Sequence, residues 1–284
     1  MRRILLEEPL VRSAAWSRSC AVFALTVAVL GILMARKGLD PTAAIAIEGG
    51  AVVMAGLSIL FALIAMVVIW RTGYHGTGHL LAGLFLSALV LAYPAFLVAK
   101  ARGVPIVDDV STDPSDPPLF SHAAPAVSGR KGLTPENPSS ANLEAQRRLY
   151  PDVQPVVLDE DPLEAFKGIV KIVAARHWTI LEAVAPTVPP AAAIPAAPVG
   201  RPGRPGHPSP SHTNPSHPTP GHIDAVAFSF VMGFPADVTI RVEPVGNQTK
   251  IDIRSVSRTK WHEPDADMQR AQALAGDIED EGEK

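Results

Sequence analysis

A single cysteine, Cys20, serves 284 residues. It excludes an intramolecular disulfide and a thiolate zinc cluster. It leaves the redox compartment open, because an oxidising exterior permits disulfides without requiring them. Motifs that announce chemistry are missing too. There is no Gly-x-Ser-x-Gly elbow, no His-Glu-x-x-His helix and no glycine-rich phosphate loop. Clustered cations are absent from the later part of the chain. Residues 1–102 carry nine Lys/Arg against four Asp/Glu, and the remainder carries sixteen against twenty-four, so the net charges are +5 and −8. So acidic a region does not bind a phosphate backbone, which needs clustered positive charge. Nucleic acid is excluded as a partner.

What is present is concentrated. Nearly all long apolar runs precede residue 100. After the basic N-terminal segment, residues 1–18, they fall at 19–35, 49–70 and 80–99. A transmembrane helix needs about 20 apolar residues, and these runs meet or approach that length. The first run lacks a small-residue cleavage site after its apolar core, so it reads as an uncleaved span. Glu48 stands at the edge of the second span, and no span carries a central charge. That favours an anchor over a conduit. The lipid bilayer is thus the first expected partner. Arg2, Arg3, Arg12, Arg18 and Arg71 fall on one side of the membrane, and Arg36, Lys37, Lys100 and Arg102 on the other. The positive-inside rule then puts the N-terminus inside and residues 103–284 outside the cytoplasm. The expectation is an integral protein of a bacterial inner membrane with a periplasmic soluble domain.

Residues 103–278 read as an α+β domain. Asp161-Pro162 opens a helix with a capping carboxylate and a proline at its first position. Leu163, Phe166, Ile169, Val170 and Val173 then keep an amphipathic spacing to about Arg176. "HWTILEAVA" and "HIDAVAFSFVMGF" read as strands, the second with Val226, Phe228 and Phe230 on one face. "DVTIRVEPV-GN-QTKIDIRSVSR" reads as a hairpin turning at Gly246-Asn247. That turn sets Glu243 against Lys250 and Arg241 against Asp252, with Val242 on Ile251 and Ile240 on Ile253. Ion pairs on one face and aliphatic pairs on the other agree with this register. A last helix is expected over about residues 265–278, before an acidic tail at 279–284. The fold class is therefore three N-terminal transmembrane helices plus a soluble α+β domain, with an antiparallel sheet of about four strands and two helices.

The order "DVSTDPSDPP", "YPD", "HW", "GF…DV.IRV" and "DIRSVSR" resembles the domain of unknown function 1499 family over roughly residues 105–275. The resemblance implies a membrane-anchored bacterial protein and no settled activity. The chain departs from the pattern after the serine-arginine pair. Glu263 stands where an aspartate is expected, Asp265 where a glycine is, and Asp267 where an asparagine is, while Arg270 keeps the arginine.

The leading binding candidate is the polar face of the hairpin: Arg241, Asp252, Arg254 and Arg258, with Asp109 and Asp113 from the preceding loop. Arginine forks suit carboxylates and phosphates. Arg241 already faces Asp252, whereas Arg254 faces Thr239 and has no partner legible in the sequence, so Arg254 leads. The aspartates of "VDDVSTDPSD" are cation ligands or turn formers. His177, beside Trp178, reads as a residue of the helix–strand junction rather than a general base. His207, His212, His217 and His222 recur every five residues and are the metal candidates. They lie in or beside a proline-rich insertion, residues 186–221, whose composition cannot pack a core and reads as disordered. No catalytic residue and no cofactor is expected. Two functions remain open: an outward-facing binding or structural module that meets an envelope protein or a small anionic ligand, and a membrane-bound envelope enzyme.

Loop-closure entropy grows only with the logarithm of length. Deleting residues 191–220 should therefore leave the domain folded and more stable by at most about 2 kcal/mol, as read by thermal unfolding. Loss of the folded domain would contradict the reading of this tract as an insertion.

Overall fold

The computed structural model describes residues 11–102, 107–131, 138–151, 153–187, 219–259 and 263–283. The chain divides into two units. The first joins Met1–Ile106 with Phe228–Pro235 and Thr259–Asp265, and the second holds Val107–Ala227, Ala236–Arg258 and Ala266–Lys284.

In the first unit, α1 (Arg12–Arg36), α2 (Pro41–Thr72) and α3 (Thr77–Ala101) are all long and apolar enough to cross a membrane. Asp40 caps α2 by accepting from the Thr42 and Ala43 amides, with Pro41 at the first helical position. Small residues fill the interior: Ala24, Ala28 and Gly31 on α1, Ala51, Ala55 and Ser58 on α2, Gly83 and Ser87 on α3. Large apolar side chains such as Phe23, Leu60, Ile64 and Phe85 are exposed. This inverts a water-soluble bundle. It suits lipid, where helices associate through close backbone approach and polar contacts rather than by hiding leucine. The Ser58 hydroxyl donates to the Ser17 carbonyl at 2.8 Å. Gly83 lies so close to α1 that a Cβ there would stand 3.1 Å from the Ser17 carbonyl carbon. Trp16 and the 90% exposed Trp70 mark one end of the bundle, as interfacial aromatics do.

The second unit is built on an antiparallel sheet of six strands rather than four. They are β1 (Asp109–Ser111), β2 (Val156–Leu158), β3 (Thr179–Val184), β4 (Gly221–Phe228), β5 (Pro235–Val245) and β6 (Gln248–Ser257). Their order is β1-β6-β5-β4-β3, and β2 also pairs with β6. The two additional strands are three residues long, too short to show alternation in a sequence. Among the described residues four helices accompany the sheet rather than two: α4 (Ala124–Arg130), α5 (Ser140–Leu149), α6 (Pro162–Ala175) and α7 (Ala266–Gly282). α7 runs on through residues expected to form an acidic tail.

The hairpin register is the expected one along its whole length, from Val245 opposite Gln248 to Ala236 opposite Ser257. Gly246 takes φ +64° at the turn, a conformation open to glycine at little cost. β4 ends at Phe228, so Phe230 is not a strand residue. β3 shifts register against β4 between Ile180 and Glu182.

Ile240, Val242, Ile251 and Ile253 of β5 and β6 share a core with Phe166, Ile169 and Val173 of α6. Met268, Leu274 and Ile278 of α7 belong to the same core. Asp161 caps α6 by accepting from the Leu163 amide at 2.9 Å. The helix closes with His177 in the left-handed region, φ +57°. The His177 amide donates to the Ala174 carbonyl and the Trp178 amide to the Val173 carbonyl. These are the two bonds of a Schellman cap, whose left-handed position ordinarily holds glycine. His177 thus serves chain reversal at the helix–strand junction. Replacing this exposed residue by glycine should raise stability by about 1 kcal/mol in denaturant unfolding, because a side chain is costly in that conformation. A drop in stability would show that the imidazole has a structural role of its own.

Candidate functional site: the ion-paired face of the sheet

Alternation along β5 and β6 puts Asp237, Thr239, Arg241 and Glu243 on one face with Lys250, Asp252 and Arg254, opposite the apolar core. The segment from residue 107 to 131 meets this face through its side chains and carbonyls. Arg254, which has no partner legible in the sequence, is 0% exposed and clamped by Asp109. Its Nε and Nη2 donate to the two Asp109 oxygens at 2.9 and 2.8 Å. The register of β1 on β6 explains why. Ser111 lies opposite Arg254, and Asp109 lies two residues along, on the same face. The Arg254 guanidinium also stacks on the Phe120 ring at 5.1 Å, and Arg130 lies 5.2 Å from that ring.

The remaining cations are engaged in the same way. Arg241 donates through Nε and Nη2 to Asp252, and through Nη1 to Asp116 at 2.8 Å. Arg258 grips Asp237 at 2.6 and 2.9 Å and donates to the Gly129 carbonyl. Arg130 reaches the buried Asp224 at 2.7 Å. Lys250 pairs with Asp113 at 2.7 Å and lies 3.2 Å from Asp252. Asp113 also shapes its own loop, accepting from the Ser115 and Asp116 amides. That is the turn-forming role open to an aspartate in such a segment.

The electrostatics differ between centre and rim. Burial pushes the Asp109 carboxyl above its ordinary value, and the hydrogen bonds and charge of Arg254 do not fully offset it. Burial also pushes Asp113 up, but bonds from Lys250, Ser115 and the local backbone outweigh it and hold that carboxyl below its ordinary range. The Asp113 interactions therefore add stability above the carboxyl's ordinary pKa, and that stability is lost as pH falls through the lowered one. Asp109 contributes with the opposite sign: keeping it ionised in the folded state costs free energy at neutral pH. Burial likewise opposes the charges of Arg241 and Lys250, yet their aspartate partners win and raise both pKa values.

Of the six residues named from the sequence, the structure pairs Arg254 with Asp109, links Arg241, Asp252 and Asp113 through Lys250, and gives Arg258 to Asp237. The sequence reading did not find Asp224, Arg130, Asp237 or Phe120. It also did not find the Gln146 carboxamide, which accepts from the Ser111 amide and donates to the Ser111 carbonyl, closing the outer edge of β1. On the helix side, Ser255 and Ser257 donate to the buried Asp267, which also accepts from Arg270. The Asp-x-x-Arg spacing at the start of α7 was the legible signal for that cluster. Asp265 takes φ +60°, the backbone state that favours glycine, at the position where the resemblance led to a glycine being expected.

Of the histidines, His207, His212 and His217 lie outside the described residues. His222 is the second residue of β4, with its Nε2 2.8 Å from Asp224 Oδ1. Among the described residues no group of three or more His, Cys, Asp or Glu is arranged to hold a metal ion.

Apolar helices able to span a membrane, joined to an antiparallel sheet with helices on its core face, define the class. The chain belongs to the family described as protein of unknown function DUF1499, whose pattern matches residues 109–278. No curated protein and no solved structure matches it.

Removing one partner of a buried ion pair strands the other charge and costs about 3–5 kcal/mol. Arg254→Ala should lose stability on that scale in thermal unfolding. Arg254→Met combined with Asp109→Asn should cost less than the sum of the two single changes, since neither charge is then stranded. Strict additivity would mean that the two residues do not act as a pair.

Proposed function

We propose that the protein is a membrane-anchored module whose sheet domain faces out of the cytoplasm and works through an envelope protein partner. The observation that carries the binding or structural reading is the condition of the sheet's arginines. Arg241, Arg254, Arg258 and Arg130 are each held by an aspartate of the same domain. A small anion would have to displace those carboxylates, all four of them buried. The pair most open to exchange is Arg241 with Asp116, whose side chain is 76% exposed. A partner's carboxylate could take that position. The anchor reading is supported by the three long apolar helices, and the outward placement by the basic N-terminal segment.

A membrane-bound enzyme is the second reading. Its support is the close approach of His222 Nε2 to Oδ1 of the buried Asp224, 2.8 Å apart.

Fusions at the C-terminus separate the possible locations. A fused alkaline phosphatase should be active and a fused green fluorescent protein dark. The reverse pattern would place the domain in the cytoplasm and remove the envelope partner from consideration.

A further inference from the structure

The connection between β4 and β5 belongs with the membrane helices rather than with the sheet it links. Its sequence, "SFVMGF" at residues 229–234, is apolar apart from one serine. Met232 and Phe234 are buried in a cluster with Ala35 at the end of α1 and Ala44 at the start of α2. Phe230 points the other way and is 86% exposed.

The turn satisfies its own backbone to an unusual degree for a connection. The Ser229 amide donates to the Phe234 carbonyl, the Gly233 amide to the Ser229 carbonyl, and the Phe234 amide to the Ser229 hydroxyl. Two further carbonyls, those of Phe230 and Val231, accept from the guanidinium of Arg36. The seat is close. Gly233 takes φ +70°, and a Cβ there would lie 3.1 Å from Arg36 Cγ.

Each feature has a reason if the turn lies in the bilayer interface. Water thins out toward the acyl chains, so backbone groups that approach that depth need partners within the protein. An aromatic ring at headgroup level is favourable, and an arginine ending a span can serve as the polar anchor beside it. Ala35 is the last apolar residue of the first span before Arg36 and Lys37, which sets the level of the turn at that boundary.

We propose that residues 229–234 form a lipid-inserting turn, with the Phe230 ring seated among phospholipid acyl chains just below the headgroups beside Arg36. The occupant of this exposed ring is lipid because the turn continues the outer surface of helices that themselves meet lipid. The inference rests on the reading that those helices span a bilayer.

The test uses the full chain in phospholipid nanodiscs, with Cys20→Ala and one new cysteine carrying a nitrobenzoxadiazole label. Phe230→Cys is the probe position, Leu60→Cys the mid-span control and Glu279→Cys the aqueous control. All three sites are exposed, so labelling should not disturb packing. The label at 230 should emit to the blue of that at 279. It should be quenched by lipids with a nitroxide near the headgroup more than by lipids with one deep in the chain, and it should resist iodide. The label at 60 should show the opposite depth order. Iodide quenching at 230 like that at 279 would overturn the inference, and so would shielding from both quenchers, which would mean a protein cover. If the label at 60 escapes the nitroxide lipids, the spanning reading itself fails and takes the inference with it.

Discussion

The soluble domain depends on one constraint: β6 is an interior strand, flanked by β5 and by β1 and β2, in a sheet covered on both faces, yet its sequence alternates isoleucine with charge. Ile251 and Ile253 meet the helices, while Asp252 and Arg254 face the other way. A buried arginine survives only with a partner that balances its charge and satisfies its donors. Asp109 supplies both, and Phe120 fills the space above the guanidinium plane. The segment from 107 to 131 is therefore fastened to this face by charge as well as by apolar burial. Its aspartates at 109, 113 and 116 and its carbonyls at 118 and 129 fall one after another on cations of the sheet.

The membrane unit obeys a different rule. Its interior is mostly alanine, glycine and serine, with Leu80 and Val90 among them, and its exterior carries leucine, isoleucine and phenylalanine. In lipid, burying a large apolar side chain gains little, so close backbone approach decides the packing. The interiors of the two units differ in composition as they would if lipid were the solvent of one and water that of the other.

Local signals were legible. The Gly246-Asn247 turn fixed the register of ten residue pairs, and Asp161-Pro162 placed the start of α6. Both are readings over a few consecutive residues, where turn chemistry and capping dominate. The partner of Arg254 was not legible, because Asp109 lies 145 positions away and meets it through a strand of three residues. The same reason hides Asp224 from Arg130. Phe230 was misplaced because alternation continues past the residue where pairing stops. The fate of that phenylalanine is set by helices far away in sequence, and periodicity carries no trace of them.

The central claim is that the aspartate-rich segment is fastened to the sheet as part of the fold, and is not a movable cover over an open binding face. Amide hydrogen exchange on the full chain in nanodiscs reads this directly. The Val110 and Thr112 amides, paired to β6, should exchange as slowly as those of Ile251 and Ile253 in β6 itself. Exchange that is faster by orders of magnitude across 107–131, with β6 still protected, would contradict the account.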